Sequence, residues 1–171
     1  MASIEASEHA VPERAQLWVL KSFGQKAQWV SSRRLKGGVS AAVYGVTLRV
    51  GQDSVQAVLR LFDNAGWVRE EPDLSRHEGA VLRSMTACAN LPVPQLIAYD
   101  ELGSEAGMPA VLMTYMRGEI DLMPHDQSLW LDELAAVLSR IHATDAKEVV
   151  WAFYLPRCFR MGSSCVVRVP E

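Results

Sequence analysis

Cysteine is scarce in this sequence, and its spacing matches no structural metal site. Three cysteines occur among 171 residues, at Cys88, Cys158 and Cys165. Zinc motifs and disulfide frameworks need several cysteines at regular spacings, and this odd, irregular set provides neither. The pattern argues against a disulfide-stabilised secreted domain and favours a reduced, cytoplasmic setting.

Basic tracts and long apolar runs are also missing. The longest run of basic residues is the pair Arg33-Arg34, and the net charge is −3. Nucleic acid is therefore not an expected partner, because phosphate backbones are bound by concentrated positive charge. No stretch approaches the roughly 18 apolar residues of a membrane span, and the acidic N-terminus has no apolar core of a signal peptide. No membrane partner is expected.

The remaining composition is that of a globular protein. Hydrophobic residues make up 49% of the chain and charged residues 22%, which is the ordinary range. The length corresponds to one domain, or one domain and part of another, with enough chain to bury a sizeable core.

The hydrophobic periodicity predicts an α+β fold with five strands. The first three strands are joined by tight turns and therefore form an antiparallel meander. Residues 63–72 are expected to form a loop. In chain order, the predicted elements are a helix at Pro12–Phe23, strands at Gln28–Lys36, Ser40–Val50 and Val55–Phe62, a helix from Asp73 to about Ala87, strands at Gln95–Tyr99 and Pro109–Tyr115, and a helix at Gln127–Ala143.

The third predicted strand carries a cation among apolar neighbours, and the following helix carries an acid. Arg60 alternates onto the strand face shared by Val58 and Phe62. Glu78 shares the apolar helix stripe of Leu74, Val81 and Met85. An unpaired carboxylate on that stripe would be costly, so Arg60 is its expected partner. Arg60 is either a solvated strand residue or part of a clamp that holds a carboxylate and a phosphate together.

Two other segments have both a structural and a functional interpretation. Gly37-Gly38 with Ser40 is either a plain hairpin turn or a loop whose backbone N–H groups approach phosphate oxygens. It has no Walker A spacing. Residues 113–116 are either a core strand running into a loop, or a linker whose backbone binds an adenine edge between apolar side chains.

The histidines and isolated acids suggest no catalytic group. His77 and His125 are expected to be solvated, and His142 to lie at the end of the last helix. Asp100 is one of several isolated acids at loops and helix ends, where capping is the default explanation. No nucleophile–base–acid arrangement is evident.

Taken together, the order of these segments resembles the amino-terminal lobe of the aminoglycoside phosphotransferase and choline kinase-like family, relatives of the protein kinases. The resemblance covers about residues 28–145. The matching segments are LKGGVSAAVYGV at 35–46, VLRL at 58–61, HEGAVLRSM at 77–85, LPVPQLIAYD at 91–100, GMPAVLMTYMRGE at 107–119 and LDELAAVLSRIHATD at 131–145.

The resemblance implies a role for each candidate residue and a protein kinase-like fold. Gly37, Gly38 and Ser40 would lie in the phosphate-covering loop. Arg60 would hold the α- and β-phosphates of ATP, and Glu78 would pair with it. The hinge that contacts adenine would consist of Thr114, Tyr115 and Met116. ATP is the cofactor that this resemblance implies, together with the Mg²⁺ that the family uses.

The sequence departs from the family in its catalytic segments. The family's catalytic loop resembles His-Gly-Asp followed by Asn, and a later Asp holds magnesium, but no such run occurs here. Phosphoryl transfer depends on positioning and metal-held charge. A truncated phosphotransferase that is inactive alone is therefore expected, with no catalytic and no metal-binding residues assigned. A non-catalytic nucleotide-binding or protein-interaction module and a non-functional fragment remain alternatives.

The expected organisation has four parts. Residues 1–27 form an extension with a short helix, 28–120 the kinase-like lobe, 121–145 the start of a second lobe, and 146–171 an irregular tail. The aromatic segment at 150–154 is compatible with the family's continuation into that lobe, and the remainder of the tail does not resemble it. The apolar stripe of the last helix would face the second lobe and should be partly exposed, so a protein partner or self-association is expected there. The small-molecule substrate stays open between aminoglycosides, other amino sugars, and choline-like or homoserine-like alcohols.

Overall fold

The computed structural model describes residues 10–36, 38, 40–86, 91–118, 121 and 123–143. Gly37, part of the predicted phosphate loop, and the tail at 146–171 lie outside these residues. In chain order, the described elements are α1 (Glu13–Phe23), β1 (Ala27–Arg34), β2 (Ala42–Val50), β3 (Asp53–Leu61), α2 (Ala65–Glu70), α3 (Leu74–Thr86), β4 (Leu96–Asp100), β5 (Ala110–Thr114) and α4 (Gln127–His142).

The five strands form one antiparallel sheet in the order β1-β2-β3-β5-β4. This confirms the predicted α+β class, the antiparallel meander of the first three strands and the packed helix. Both edge strands carry a register shift, at Trp29/Ser31 in β1 and at Leu96/Ala98 in β4. Such irregularities, with the exposed cations Arg33 and Arg34 on β1, hinder edge-to-edge association with another sheet.

Helix α1 covers one face of the sheet, and the main core lies between them. Leu48 and Leu59 are fully buried there, from β2 and β3. From α1, Ala15, Trp18 and Val19 pack into the same cluster. Full burial of a leucine or valine side chain stabilises a fold by roughly 1.5–3 kcal/mol, so α1 is a structural part of this unit.

Helix α3 covers the opposite face, called here the α3 face, beside β4 and β5. Its most buried positions are Ser75 and Gly79, one residue away from the predicted stripe that begins at Leu74 and Glu78. The cause is a close approach of the backbone: a Cβ on Gly79 would lie 3.0 Å from the Tyr99 ring. Glycine permits this approach, and Glu78 is thereby placed at the side of the helix rather than under it.

Helix α4 matches its predicted range, and Asp126 caps it by accepting from the Leu129 N–H at 2.9 Å. No residue of α4 is buried. Leu131, Leu134 and Leu138 are each about half exposed, at 50%, 51% and 50%.

The predicted loop at 63–72 contains a helix that the sequence pattern did not indicate. Six residues, Ala65–Glu70, form α2, and the Asn64 side chain accepts from the Gly66 and Trp67 N–H groups. Its shortness and the glycine near its start hide any helical periodicity. Among the described residues, no helix is long and apolar enough to cross a membrane.

Candidate functional site

Arg60 occupies the centre of the α3 face because of the strand register. It lies opposite Val43 of β2 and Val111 of β5. Side chains alternate along a strand, so Arg60 and Val58 point to the same face. The next row of that face consists of Gly45, Val58 and Met113.

The Arg60 guanidinium is held from three sides. Its Nη1 forms an ion pair with Glu78 Oε2 at 3.0 Å, and its Nη2 donates to Ser40 Oγ at 3.1 Å. Its Cζ lies 5.1 Å from the centre of the buried Phe62 ring, a cation–π distance. The predicted pairing of strand cation and helix acid is therefore present, and Ser40, from the turn between β1 and β2, joins it.

Glu78 has a perturbed acidity in this arrangement. Burial of the carboxyl raises its pKa above the usual 4.5, and the charge and hydrogen bond of Arg60 act against that rise. The pair is partly accessible, with side-chain exposures of 31% for Arg60 and 22% for Glu78. A ligand can therefore reach the guanidinium while Glu78 orients it.

Arg60 retains hydrogen-bonding capacity for an anion. A guanidinium has five N–H donors, and the described contacts use one on Nη1 and one on Nη2. Its Nε is buried without a partner among the described residues. The donors left for a ligand are therefore the second N–H groups of Nη1 and Nη2, and such donors on a planar cation suit the oxygens of a phosphate.

Gly38 lies in the turn between β1 and β2, close to Val43, which is opposite Arg60 in the β2–β3 register. A Cβ there would collide with the Ala41 carbonyl oxygen and approach Val43 Cγ2 at 3.1 Å. The turn therefore requires glycine for steric reasons, and its backbone can pass close to whatever Arg60 holds. This fits a phosphate-covering loop as well as a plain turn.

The three hinge candidates behave differently. The Thr114 N–H donates to the Gln95 carbonyl at 2.9 Å, and Thr114 Oγ1 accepts from the Gln95 N–H at 2.8 Å. Thr114 is thus occupied in joining β5 to the start of β4. Tyr115 accepts from Arg33 Nη2 at 3.1 Å, and Met116 is 43% exposed. Backbone contacts to a ligand are therefore left to Tyr115 and Met116.

Two features were not apparent from the sequence. The Asp100 carboxylate, 6% exposed, accepts from four backbone N–H groups at 2.7–3.1 Å, those of Gly103, Ser104, Glu105 and Ala106. Burial opposes its ionisation, but these four donors together lower the pKa of Asp100. Asp100 therefore organises the β4–β5 loop, as a turn-stabilising acid does. His77, expected to be solvated, instead has a buried Nε2 without a partner among the described residues.

No metal site is visible in the described part of the chain. Histidine, cysteine, aspartate and glutamate side chains form no cluster of three there.

Two comparisons with known proteins found a match. The sequence model of the phosphotransferase enzyme family (APH) matches residues 31–157. A solved structure provisionally described as an aminoglycoside phosphotransferase, from Ralstonia eutropha JMP134, superposes with a TM-score of 0.57 at 19% identity. The match covers 83% of this chain and 41% of that one, so this chain spans less than half the length of that protein. Proteins of curated function gave no match. With most of its length matched by the family model, the chain belongs to the phosphotransferase enzyme family.

Proposed function

We propose that the α3 face binds a nucleoside triphosphate, with ATP as the physiological ligand. The observation that carries this proposal is the guanidinium of Arg60, held between Glu78 and Ser40 with donors to spare. In this arrangement Arg60 binds the α- and β-phosphates, and the backbone at Gly38 approaches them. Glu78 keeps the cation in place by charge and hydrogen bond.

The base belongs one row further along the same face. Val58 and Met113 are directly opposite each other on β3 and β5 and are only partly buried. They offer an apolar surface on which an adenine ring can pack. The backbone of Tyr115 and Met116 follows directly and can bind the edge of the ring. The base would then lie over the Val58–Met113 row and the phosphates at Arg60, so that the nucleotide extends along β3.

The chain then acts as the nucleotide-binding lobe of a phosphotransferase that moves the ATP γ-phosphate to a small-molecule hydroxyl. Residues 28–120 would form this lobe and 121–145 the start of a second one, in a cytoplasmic setting where ATP is abundant. The 171 residues contain no His-Gly-Asp run, so nucleotide binding, not transfer, is assigned to them, and no turnover by this chain alone is expected. Mg²⁺ would arrive with the nucleotide, and no ligand for it is assigned among the described residues.

Calorimetric titration with MgATP tests the proposal. Because the described residues contact the nucleotide from one side, a Kd on the order of 0.1–1 mM is expected. Arg60→Met keeps an unbranched side chain that can pack on Phe62 but removes the charge, and it should abolish measurable binding. Arg49→Met, an exposed arginine on β2, is the matched control and should bind as the wild type does.

Two results would refute the proposal. One is the absence of ATP binding by a wild-type chain that unfolds cooperatively. The other is equal loss of binding in Arg60→Met and in Arg49→Met, because that would show a non-specific charge effect.

A second candidate function is that of an interaction module. It is favoured by the α4 stripe, in which Leu131, Leu134 and Leu138 are half exposed. An apolar stripe of this kind marks a binding surface or an aggregation risk. If the chain binds no nucleotide, and Leu134→Glu converts an oligomer into a monomer in analytical ultracentrifugation, the module is the better description.

A further inference from the structure

A hydrogen bond crosses the α3 face at the end that lies away from Arg60. Arg33 Nη2, on the edge strand β1, donates to the Tyr115 hydroxyl oxygen at 3.1 Å. The strand order places β2 and β3 between the two residues. Three strand spacings of about 4.8 Å amount to about 14 Å, so both side chains must extend across the sheet to meet.

Gly45 permits this crossing. It is opposite Arg33 in the β1–β2 register, and a Cβ placed on Gly45 would lie 3.7 Å from both Cγ and Nε of Arg33. The Arg33 side chain therefore lies directly over the glycine. A β-branched side chain at this position would push Arg33 away from the sheet.

Arg33 and Tyr115 form part of the wall of a small cavity of about 70 Å³. Its lining also includes Thr47 and Gln56, which are opposite each other on β2 and β3. This row lies one step beyond the Val58–Met113 row. The Arg33–Tyr115 pair consequently closes the α3 face at the end opposite Arg60.

The Tyr115 hydroxyl has a proton available for a ligand. Arginine only donates hydrogen bonds, so the phenol oxygen is the acceptor in this pair. Within the part of the chain that the structure describes, the hydroxyl has no second hydrogen bond. The positive charge of Arg33 makes it a better donor by polarising the O–H bond.

We propose that Tyr115, oriented by Arg33, is the end wall of the base site and donates a hydrogen bond to an acceptor atom on the ring of a purine nucleotide. This inference rests on the proposed nucleotide binding. Arg33 is a positioning residue, since it acts through Tyr115. The ligand class is a base with a ring nitrogen or carbonyl acceptor, joined to phosphates held by Arg60.

The test compares ATP with inorganic tripolyphosphate, which has the phosphates but no base. Titrations use the full chain as wild type, Tyr115→Phe, Arg33→Gln and the double variant. Tyr115→Phe and Arg33→Gln should each raise the Kd for ATP about threefold to tenfold, the range of one hydrogen bond. The double variant should bind like the weaker single variant. None of these changes should alter the Kd for tripolyphosphate.

Arg34→Gln is the matched control. Arg34 is the next residue on β1, and its guanidinium lies 5.8 Å from the centre of the Tyr44 ring. Tyr44 lies on the other face of the sheet, which α1 covers. The Arg34→Gln substitution removes the same charge from the same strand and should leave the Kd values for ATP and for tripolyphosphate unchanged.

The outcomes separate this inference from the proposed function. Wild-type ATP binding that is unchanged in Tyr115→Phe overturns the end wall and leaves the nucleotide site standing. Equal weakening of ATP and tripolyphosphate binding overturns it as well, because that indicates a structural effect. Absence of wild-type binding to either ligand refutes the proposed function and this inference together.

Discussion

Replacing Arg60 by methionine should destabilise the fold by an amount that depends on pH. The Arg60–Glu78 pair is about three-quarters buried on the Glu78 side. Breaking a fully buried ion pair costs about 3–5 kcal/mol, whereas an exposed pair is worth about 0–1 kcal/mol. At this intermediate burial, Arg60→Met should lower the free energy of unfolding by about 2 kcal/mol at neutral pH.

The sign of the pH dependence follows from the Glu78 carboxyl. Burial already raises its pKa above 4.5, and Arg60 opposes this rise, so removing Arg60 raises the pKa further. A carboxyl whose pKa is raised by folding contributes stability below its unfolded pKa, and this contribution is lost as the pH rises through its folded pKa. The deficit of Arg60→Met relative to the wild type should therefore be small near pH 4 and largest near pH 7.

Urea unfolding at these two pH values provides the assay. Glu78→Gln placed in the Arg60→Met background removes the unpaired charge and should recover about half of the loss at neutral pH. The exposed Arg49→Met is the control and should change stability by less than about 0.5 kcal/mol. A deficit of Arg60→Met that is the same at both pH values, or strictly additive effects of the two substitutions, would show that Glu78 is not coupled to Arg60.

Three further predictions follow from single positions. Asp100→Asn should cost about 2 kcal/mol at neutral pH, because four backbone N–H groups lose their charged acceptor. The lowered pKa of Asp100 means that the wild type loses its stability advantage over Asp100→Asn as the pH falls below about 3.8. Urea unfolding at pH 7 and pH 3 measures this loss. Gly38→Ala should weaken ATP binding because the added Cβ collides with the Ala41 carbonyl oxygen. Gly118→Ala is the control and should not weaken it, because the space around Gly118 is open. Unchanged ATP binding in Gly38→Ala would contradict a role of this turn in the site. Gly79→Leu should lower the melting temperature by several degrees by separating α3 from the Tyr99 ring, and an unchanged melting temperature would show that the helix can shift freely.

The strands and the Arg60–Glu78 pair could be predicted because local sequence determines them. Alternating apolar residues in β2 and β3 fix both the strand and the face that each side chain occupies. Arg60 and Glu78 lie on elements that are close in sequence. Either charge left unpaired beside apolar neighbours would cost free energy of folding. Their pairing at 3.0 Å therefore followed from the two periodicities.

The rest depends on contacts that no local pattern encodes. The Arg33–Tyr115 hydrogen bond joins residues 82 positions apart. It forms because both side chains lie on the α3 face and extend across β2 and β3 to meet. The role of Asp100 required the following loop to fold back over it. The buried side of helix α3 is shifted by one residue from the predicted stripe because Gly79, which adds nothing to an apolar stripe, allows the closest packing.

The most direct test of the nucleotide site is a crystal structure of the chain with a non-hydrolysable ATP analogue and Mg²⁺. Phosphate oxygens are expected within hydrogen-bonding distance of Arg60, with the Arg60–Glu78 ion pair retained and a base packed on Val58 and Met113. A nucleotide bound elsewhere, or one whose phosphates lie away from Arg60, would contradict the proposed site.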